Sequence, residues 1–179
     1  MRVGLRIRSL LGVGALLLGL PSNSIAQATP TSSETRGRPG QSLAIVVNKS
    51  NPIEDLPYSE LRKIFLGERS HWPSGRRIAV AMMDDGHPER QTVLRQIYRM
   101  DENGYREHFI KGVFRGDVFV APKTLSSPIV MRKFVFNAPG GIGYLRSTDV
   151  DKSVKVLRVD GRLPDDKDYK LQIDDRAVE

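Results

Sequence analysis

One stretch of seven residues concentrates the charged and polar groups that could bind a ligand: Asp84-Asp85-Gly86-His87-Pro88-Glu89-Arg90. It follows a predicted strand over residues 77–83 and opens a predicted helix that runs to about Tyr98. At such a junction, backbone N–H groups and the positive end of the helix dipole face the loop, an arrangement that binds phosphate and other oxyanions. The stretch therefore predicts a binding site for a small oxyanion at Asp85, Gly86, His87 and Arg90.

Other features of the same loop oppose anion binding. Pro88 has no N–H to donate. Glu89 places its own carboxylate in the first helical turn, which contributes about 0.3 to 1 kcal/mol to the helix and repels an incoming dianion. Proline is also a preferred residue at a helix start, which favours a structural role for Pro88 and Glu89. We therefore expect weak or altered oxyanion recognition.

The remaining polar residues do not form a catalytic or metal-binding pattern. The three histidines, His71, His87 and His108, lie in separate segments, and the chain has no cysteine. Acidic residues such as Asp84 and Asp85 suit turns and helix starts. The glycine-rich run at 140–143 precedes a strand, whereas a dinucleotide fingerprint links a strand to a helix. We expect no enzymatic activity, no metal and no cofactor.

The N-terminal 28 residues have the pattern of a secretory signal peptide. Three arginines precede an apolar run at residues 10–20, and small residues typical of a cleavage site follow at 24–28. The apolar run is too short to span a bilayer comfortably, so no stable membrane insertion is expected. Removing residues 1–28 lowers the formal net charge by three, from +7 to +4. The pattern predicts a periplasmic protein, and no nucleic-acid partner is expected.

The exported part is expected to contain one folded domain. Residues 29–41 are rich in Thr, Ser, Gly and Pro without apolar periodicity, which predicts a flexible linker. Residues 42–179 would form the domain, with a polar C-terminal tail. Since no disulfide can form, a packed core must stabilise this domain.

Apolar patterning predicts alternating strands and helices in this domain. Continuous apolar runs indicate strands at 43–47, 78–81, 142–145 and 154–159. Helical spacing indicates helices at 59–66, from 88 to about 98, at 102–111, and after a cap at Ser126 or Ser127, with Val130 and Phe134 on the buried side of the last helix. This order predicts an α/β domain with a mixed, largely parallel sheet flanked by helices.

Several segments, in their order along the chain, resemble landmarks of one family. They are Leu43 to Asn48, Leu61 to Gly67 with Trp72, Pro139 to Tyr144, and residues 156–164. Together they are similar to the phosphate-binding proteins of bacterial ABC importers, which are type II periplasmic binding proteins. The resemblance implies a single lobe of that fold, because residues 42–171 have length for about one lobe.

The resemblance also implies where the ligand loop differs from the family pattern. The family has an arginine, an aspartate and a Gly-Ser-Gly-Thr type turn after the strand. Here Met83 stands at the arginine position, Asp85 and Gly86 match, and residues 87–89 replace the Ser-Gly-Thr portion. Two functions remain open. The chain is a solute-binding protein with weak or altered oxyanion recognition, or it is a non-catalytic interaction module of the cell envelope, with a decayed ligand site and an envelope or transporter protein as partner.

Overall fold

The computed structural model describes residues 41–119 and 121–173. The predicted signal peptide at 1–28, nearly all of the predicted linker at 29–41 and the end of the polar tail lie outside the described residues. These boundaries therefore stay predictions. No helix in the described ranges has the length and apolar character needed to cross a bilayer.

Strands and helices alternate along the described chain. The strands are β1 Leu43–Val47, β2 Asp55–Leu56, β3 Ala79–Met83, β4 Lys123–Leu125, β5 Gly141–Arg146, β6 Lys155–Val156 and β7 Arg158–Val159. The α-helices are α1 Tyr58–Phe65, α2 Pro88–Val93, α3 Glu102–Arg115 and α4 Pro128–Asn137. A π-helix at Leu94–Tyr98 continues α2, and a 3₁₀ turn at Ser147–Asp149 follows β5.

The main sheet has the strand order β4-β3-β5-β1-β6. β3 runs parallel to β4 and β5, whereas β1 is antiparallel to β5 and β6. A second, two-stranded parallel sheet joins β2 and β7, so three of the five pairings between these strands are parallel. All five residues of β1 are buried, as expected for a strand covered on both faces. The predicted α/β class with a mixed, largely parallel sheet flanked by helices is confirmed.

Two details of the predicted elements were wrong. Residues 154–159 do not form one strand, because β6 pairs with β1 and β7 pairs with β2 of the other sheet. Between them the Leu157 N–H bonds to the Ile45 carbonyl, and the Arg158 N–H bonds to the Glu54 carbonyl. The chain therefore crosses from one sheet to the other at this point.

The buried side of α4 also differs from the prediction. Ser127 caps the helix, since its hydroxyl accepts a hydrogen bond from the Val130 N–H. Met131 and Val135 are the most buried side chains and Phe134 packs against the core as predicted, whereas Val130 is exposed. Met131 faces Gly143 in β5, where the missing side chain leaves room for its sulfur.

A cluster of aromatic rings fills the space between the helices and the sheet. Tyr98 lies at its centre and is fully buried. Its ring contacts Phe65, Tyr105 and Phe109 edge to face, with centroids 6.0, 5.1 and 6.1 Å away. Such pairs stabilise a core beyond the effect of apolar area alone. The cluster fixes α1, α3 and the π-helix together behind the end of β3.

We predict that Gly143→Ala destabilises the domain by about 1 to 3 kcal/mol, as overpacking of a filled core does. A Cβ at this position would lie 2.4 Å from the Met131 sulfur. The free energy of unfolding in urea measures the effect. Met131→Ala is the matched partner in a double-mutant cycle, because it removes the clashing group. Strictly additive costs in the double variant would contradict this packing account.

Candidate functional site

The predicted ligand loop starts at the carboxyl end of β3, inside the main sheet. The Met83 N–H donates a hydrogen bond to the hydroxyl of Tyr144 in β5 at 2.9 Å. The Asp84 N–H donates to the Leu125 carbonyl in β4 at 2.9 Å. Gly86 has a φ of 91°, which residues with a side chain rarely adopt. The loop is thus anchored to both neighbouring strands and turns at a position that requires glycine.

The four predicted site residues lie at different depths. Asp85 is exposed, with 72% of its side chain accessible, and Gly86 forms the turn beside it. His87 is partly exposed, and its Nε2 atom lies 3.0 Å from Asp84 Oδ1. Arg90 is buried below them, with only 5% of its side chain accessible. The structure brings Asp85, Gly86 and His87 to the surface of one loop but places Arg90 inside the domain.

The guanidinium group of Arg90 is occupied by protein acceptors. Its Nε and Nη2 atoms donate to the two carboxylate oxygens of Glu102 at 2.7 and 2.8 Å, which is a bidentate ion pair. Its Nη1 atom donates to the Met83 carbonyl at 2.7 Å, and Asp85 Oδ1 lies 3.2 Å from Nε. The group also lies 5.0 Å from the centre of the Tyr105 ring. Arg90 therefore joins the end of β3 to the start of α3.

This burial changes the titration of the neighbouring groups. The hydrogen bonds from Arg90 lower the pKa of Glu102, and the same bonds raise the pKa of Arg90. Burial raises the pKa of Tyr105 to about 12 and raises the pKa of Tyr144 further. At neutral pH the ion pair is charged and both phenols stay protonated.

A second buried ion pair was not anticipated from the sequence. Glu89 is buried, and its Oε1 atom accepts a hydrogen bond from Arg146 Nε at 2.7 Å. Arg146 ends β5, so this pair ties the first turn of α2 to the neighbouring strand. This ion pair with Arg146 is the structural role of Glu89. No local spacing indicates it, because 57 residues separate the partners.

The histidines and carboxylates of the described ranges do not assemble into a metal site. No group of three or more such ligands could hold an ion there. His71 Nδ1 lies 2.9 Å from the neighbouring Ser70 hydroxyl, and His108 Nε2 lies 2.9 Å from the Leu66 carbonyl. The first contact is between neighbouring residues, and the second joins α3 to the end of α1. The chemistry that the described loop offers is therefore hydrogen bonding and charge.

Solved structures with the same fold identify its class. The chain matches an ABC-type phosphate transport receptor from Vibrio cholerae with a TM-score of 0.57 and 24% identity, over 69% of this chain and 48% of that one. It matches PstS from Borrelia burgdorferi with a TM-score of 0.51 and 18% identity, over 69% of this chain and 49% of that one. The fold is that of one lobe of a type II periplasmic binding protein.

Sequence comparison points to the same group of proteins. The chain is 29% identical to the phosphate-binding protein PstS of Bacillus subtilis over 126 residues, which are 70% of this chain and 38% of that relative. No protein-family model matches the chain. The resemblance to the phosphate-binding proteins of bacterial ABC importers is confirmed, over a single-lobe region. The chain spans less than half the length of these relatives, whose names describe binding and transport rather than catalysis.

We predict that Glu102→Gln lowers the free energy of unfolding at pH 7 by about 1 to 3 kcal/mol, because it weakens a charge-assisted pair with a buried arginine. The lowered pKa of Glu102 means that the ionised form stabilises the fold above the ordinary glutamate pKa of about 4.3. This stabilisation is lost as the pH falls through the lowered pKa. Urea unfolding between pH 7 and pH 3 should show the parent and variant converging at the acid end.

Glu107→Gln is the matched control on the same helix. Glu107 forms an exposed pair with Lys111, and such pairs contribute little to stability. We expect no measurable loss from this change. A difference between parent and Glu102→Gln that stays constant down to pH 3 would contradict the role of the ionised carboxylate.

Proposed function

We propose that this chain is an exported, non-catalytic solute-binding protein of the phosphate-importer type that recognises phosphate or another small oxyanion weakly. The observation that carries the proposal is the position of the Asp85-Gly86-His87 loop at the carboxyl end of β3, directly before α2. Open α/β sheets bind ligands at the carboxyl ends of their strands. The relatives of this fold are named for phosphate binding and transport.

Backbone groups of the loop supply the donors for such a ligand. The N–H groups of Gly86 and His87 lie in the turn that leads from β3 to α2, directly before the first helical residue. The His87 side chain lies beside them at the surface. N–H groups next to a helix start favour an anion because the dipole adds to their positive charge. These groups, with Asp85 as an acceptor for a protonated oxyanion, form the proposed site.

Four features of the loop explain why recognition should be weak. The Arg90 guanidinium is directed at Glu102 and at the Met83 carbonyl rather than at the loop surface. Met83 is fully buried and apolar, so the position where the family has an arginine supplies no charge. The Asp84 and Asp85 carboxylates repel a dianion at close range. Because the loop is open to solvent, a bound anion would also stay largely hydrated.

A different observation favours the alternative, an interaction module of the cell envelope. Large apolar side chains are exposed on α3 and just after it, and Phe114 is 89% accessible. Further exposed apolar residues lie on α4. The set comprises Ile110, Val113, Phe114, Phe119, Ile129 and Phe136. Exposed apolar residues grouped on one helix are typical of protein interaction sites.

We predict that millimolar phosphate shifts the NMR amide signals of Gly86 and His87 at constant ionic strength, and that sulfate does so to a similar extent. His87→Ala should weaken this binding about three- to tenfold, the effect of one lost hydrogen bond. His71→Ala is the control, since His71 lies in another loop. Loop signals that do not move in either anion, or equal losses in both variants, would contradict the proposed site.

For the alternative function, we predict that two positions of α3 differ in their yield of protein crosslinks in cells. A photoreactive amino acid at position 114 should give protein adducts, because Phe114 lies in the exposed apolar set. The same residue at position 106 is the control, since Arg106 is exposed on the same helix but belongs to no apolar group. Adducts at 114 alone, together with no phosphate response at the loop, favour the interaction module. Equal yields at both positions contradict it.

A further inference from the structure

A concave site separate from the ligand loop lies near the far end of the helical segment that begins at that loop. The π-helix, the start of α1 and the C-terminal segment meet there and enclose an open pocket. Its lining residues are Tyr58, Arg95, Gln96, Arg99, Lys170 and Leu171. We call it the Arg95 pocket, and none of its residues belongs to the Asp84–Arg90 stretch. We propose that the Arg95 pocket binds a small phosphate-type polyanion, for which pyrophosphate is a suitable probe.

The first support is uncompensated positive charge. Arg95 and Arg99 are both exposed and line the same pocket. Neither forms a hydrogen bond or an ion pair with another described residue, unlike Arg62, Arg69, Arg90 and Arg132. Two like charges that line one pocket repel each other. A bound polyanion would relieve that repulsion.

Capping of the helix end does not account for the two arginines. Cations are favourable near a helix C-terminus, where carbonyl groups lack partners. Here other donors already serve three carbonyls near this end. The Tyr58 hydroxyl donates to the Gln96 carbonyl, Arg62 donates to the Tyr98 carbonyl, and the Met100 N–H donates to the Leu94 carbonyl. The guanidinium groups of the Arg95 pocket are therefore left for a ligand.

The backbone at the pocket is unusual in two respects. Leu94–Tyr98 is a π-helix, a conformation that is rare and frequently found at functional sites. Arg99 ends it with a φ of 58°, a left-handed conformation that is uncommon for residues with a side chain. Sparsely populated conformations of this kind cluster at ligand sites. This backbone places both arginines at the rim of one pocket.

The geometry also indicates the class of ligand. Lys170 lies 5.6 Å from the centre of the Tyr58 ring and is already paired with Asp160, at 2.6 Å. The net charge of the pocket therefore comes from the two guanidinium groups. Each guanidinium can bind one phosphoryl group through two parallel hydrogen bonds. Two guanidinium groups should therefore bind a ligand with two phosphoryl groups more tightly than a single phosphate. Both ligands should bind more tightly than chloride.

The test is a titration of the purified full chain with pyrophosphate, followed by NMR at fixed ionic strength because salt screens exposed charges. We expect saturable shifts of the amide signals from Arg95 to Met100 and of Leu171, weaker with phosphate and absent with chloride. Arg95→Gln and Arg99→Asn should each weaken binding about tenfold or more, the effect of losing charge-assisted hydrogen bonds. Asparagine is chosen at 99 because it tolerates the left-handed conformation.

Two controls separate this site from general charge and from the ligand loop. Arg106→Gln makes the same change of charge at an exposed position of α3 and should leave the affinity for pyrophosphate unchanged. His87→Ala should leave the response of the amide signals from Arg95 to Met100 unchanged, although it weakens oxyanion binding at the proposed loop site. An equal loss in Arg106→Gln, a loss caused by His87→Ala, or no saturable shift at the pocket would each overturn the proposal. The loop and the Arg95 pocket can thus fail independently.

Discussion

The buried guanidinium of Arg90 is the interaction on which the arrangement around the ligand loop depends. It holds the last carbonyl of β3 and both oxygens of Glu102 at the start of α3, so it joins sheet, loop and helix through one group. A buried cation without acceptors is strongly unfavourable, which requires these three partners to stay in place. The aromatic cluster around Tyr98 packs against α3, the helix whose start this ion pair anchors. Arg90 could contact a ligand if it lay at the surface, but in this chain it connects parts of the structure.

The same use of charge recurs at Glu89, one residue earlier. Its carboxylate bonds to Arg146 at the end of β5, so the first turn of α2 is fixed to two different parts of the domain by adjacent residues. The loop between β3 and α2 is consequently held at both ends while its middle, around Gly86, stays open. Such a loop presents backbone N–H groups in a defined geometry, while the charged Arg90 side chain below them is bonded to protein acceptors. This combination suits weak recognition of an anion better than tight capture.

The sequence was sufficient wherever a local pattern determines the structure. The buried strand β1, helix α1, strand β5 and the Ser127 cap all follow from runs, spacing and capping preferences within about ten residues. The errors arise where partners are distant in sequence. The division of 154–159 depends on two different sheets, and the burial of Met131 rather than Val130 depends on Gly143 in β5. The role of Arg90 was missed for the same reason, because Glu102 belongs to another helix.

The distribution of charge along the helical segment connects the two ends of this region. Acidic residues stand at its start, at Asp84, Asp85 and Glu89, and unpaired basic residues stand near its end, at Arg95 and Arg99. The acidic residues at the start stabilise a helix because they oppose the positive end of the helix dipole. The same acidic side chains disfavour an anionic ligand at the helix start, because like charges repel. A stable helix favours acidic residues at these positions, whereas a strong anion site at the helix N-terminus disfavours them. The residues of this sequence are the ones that a stable helix favours.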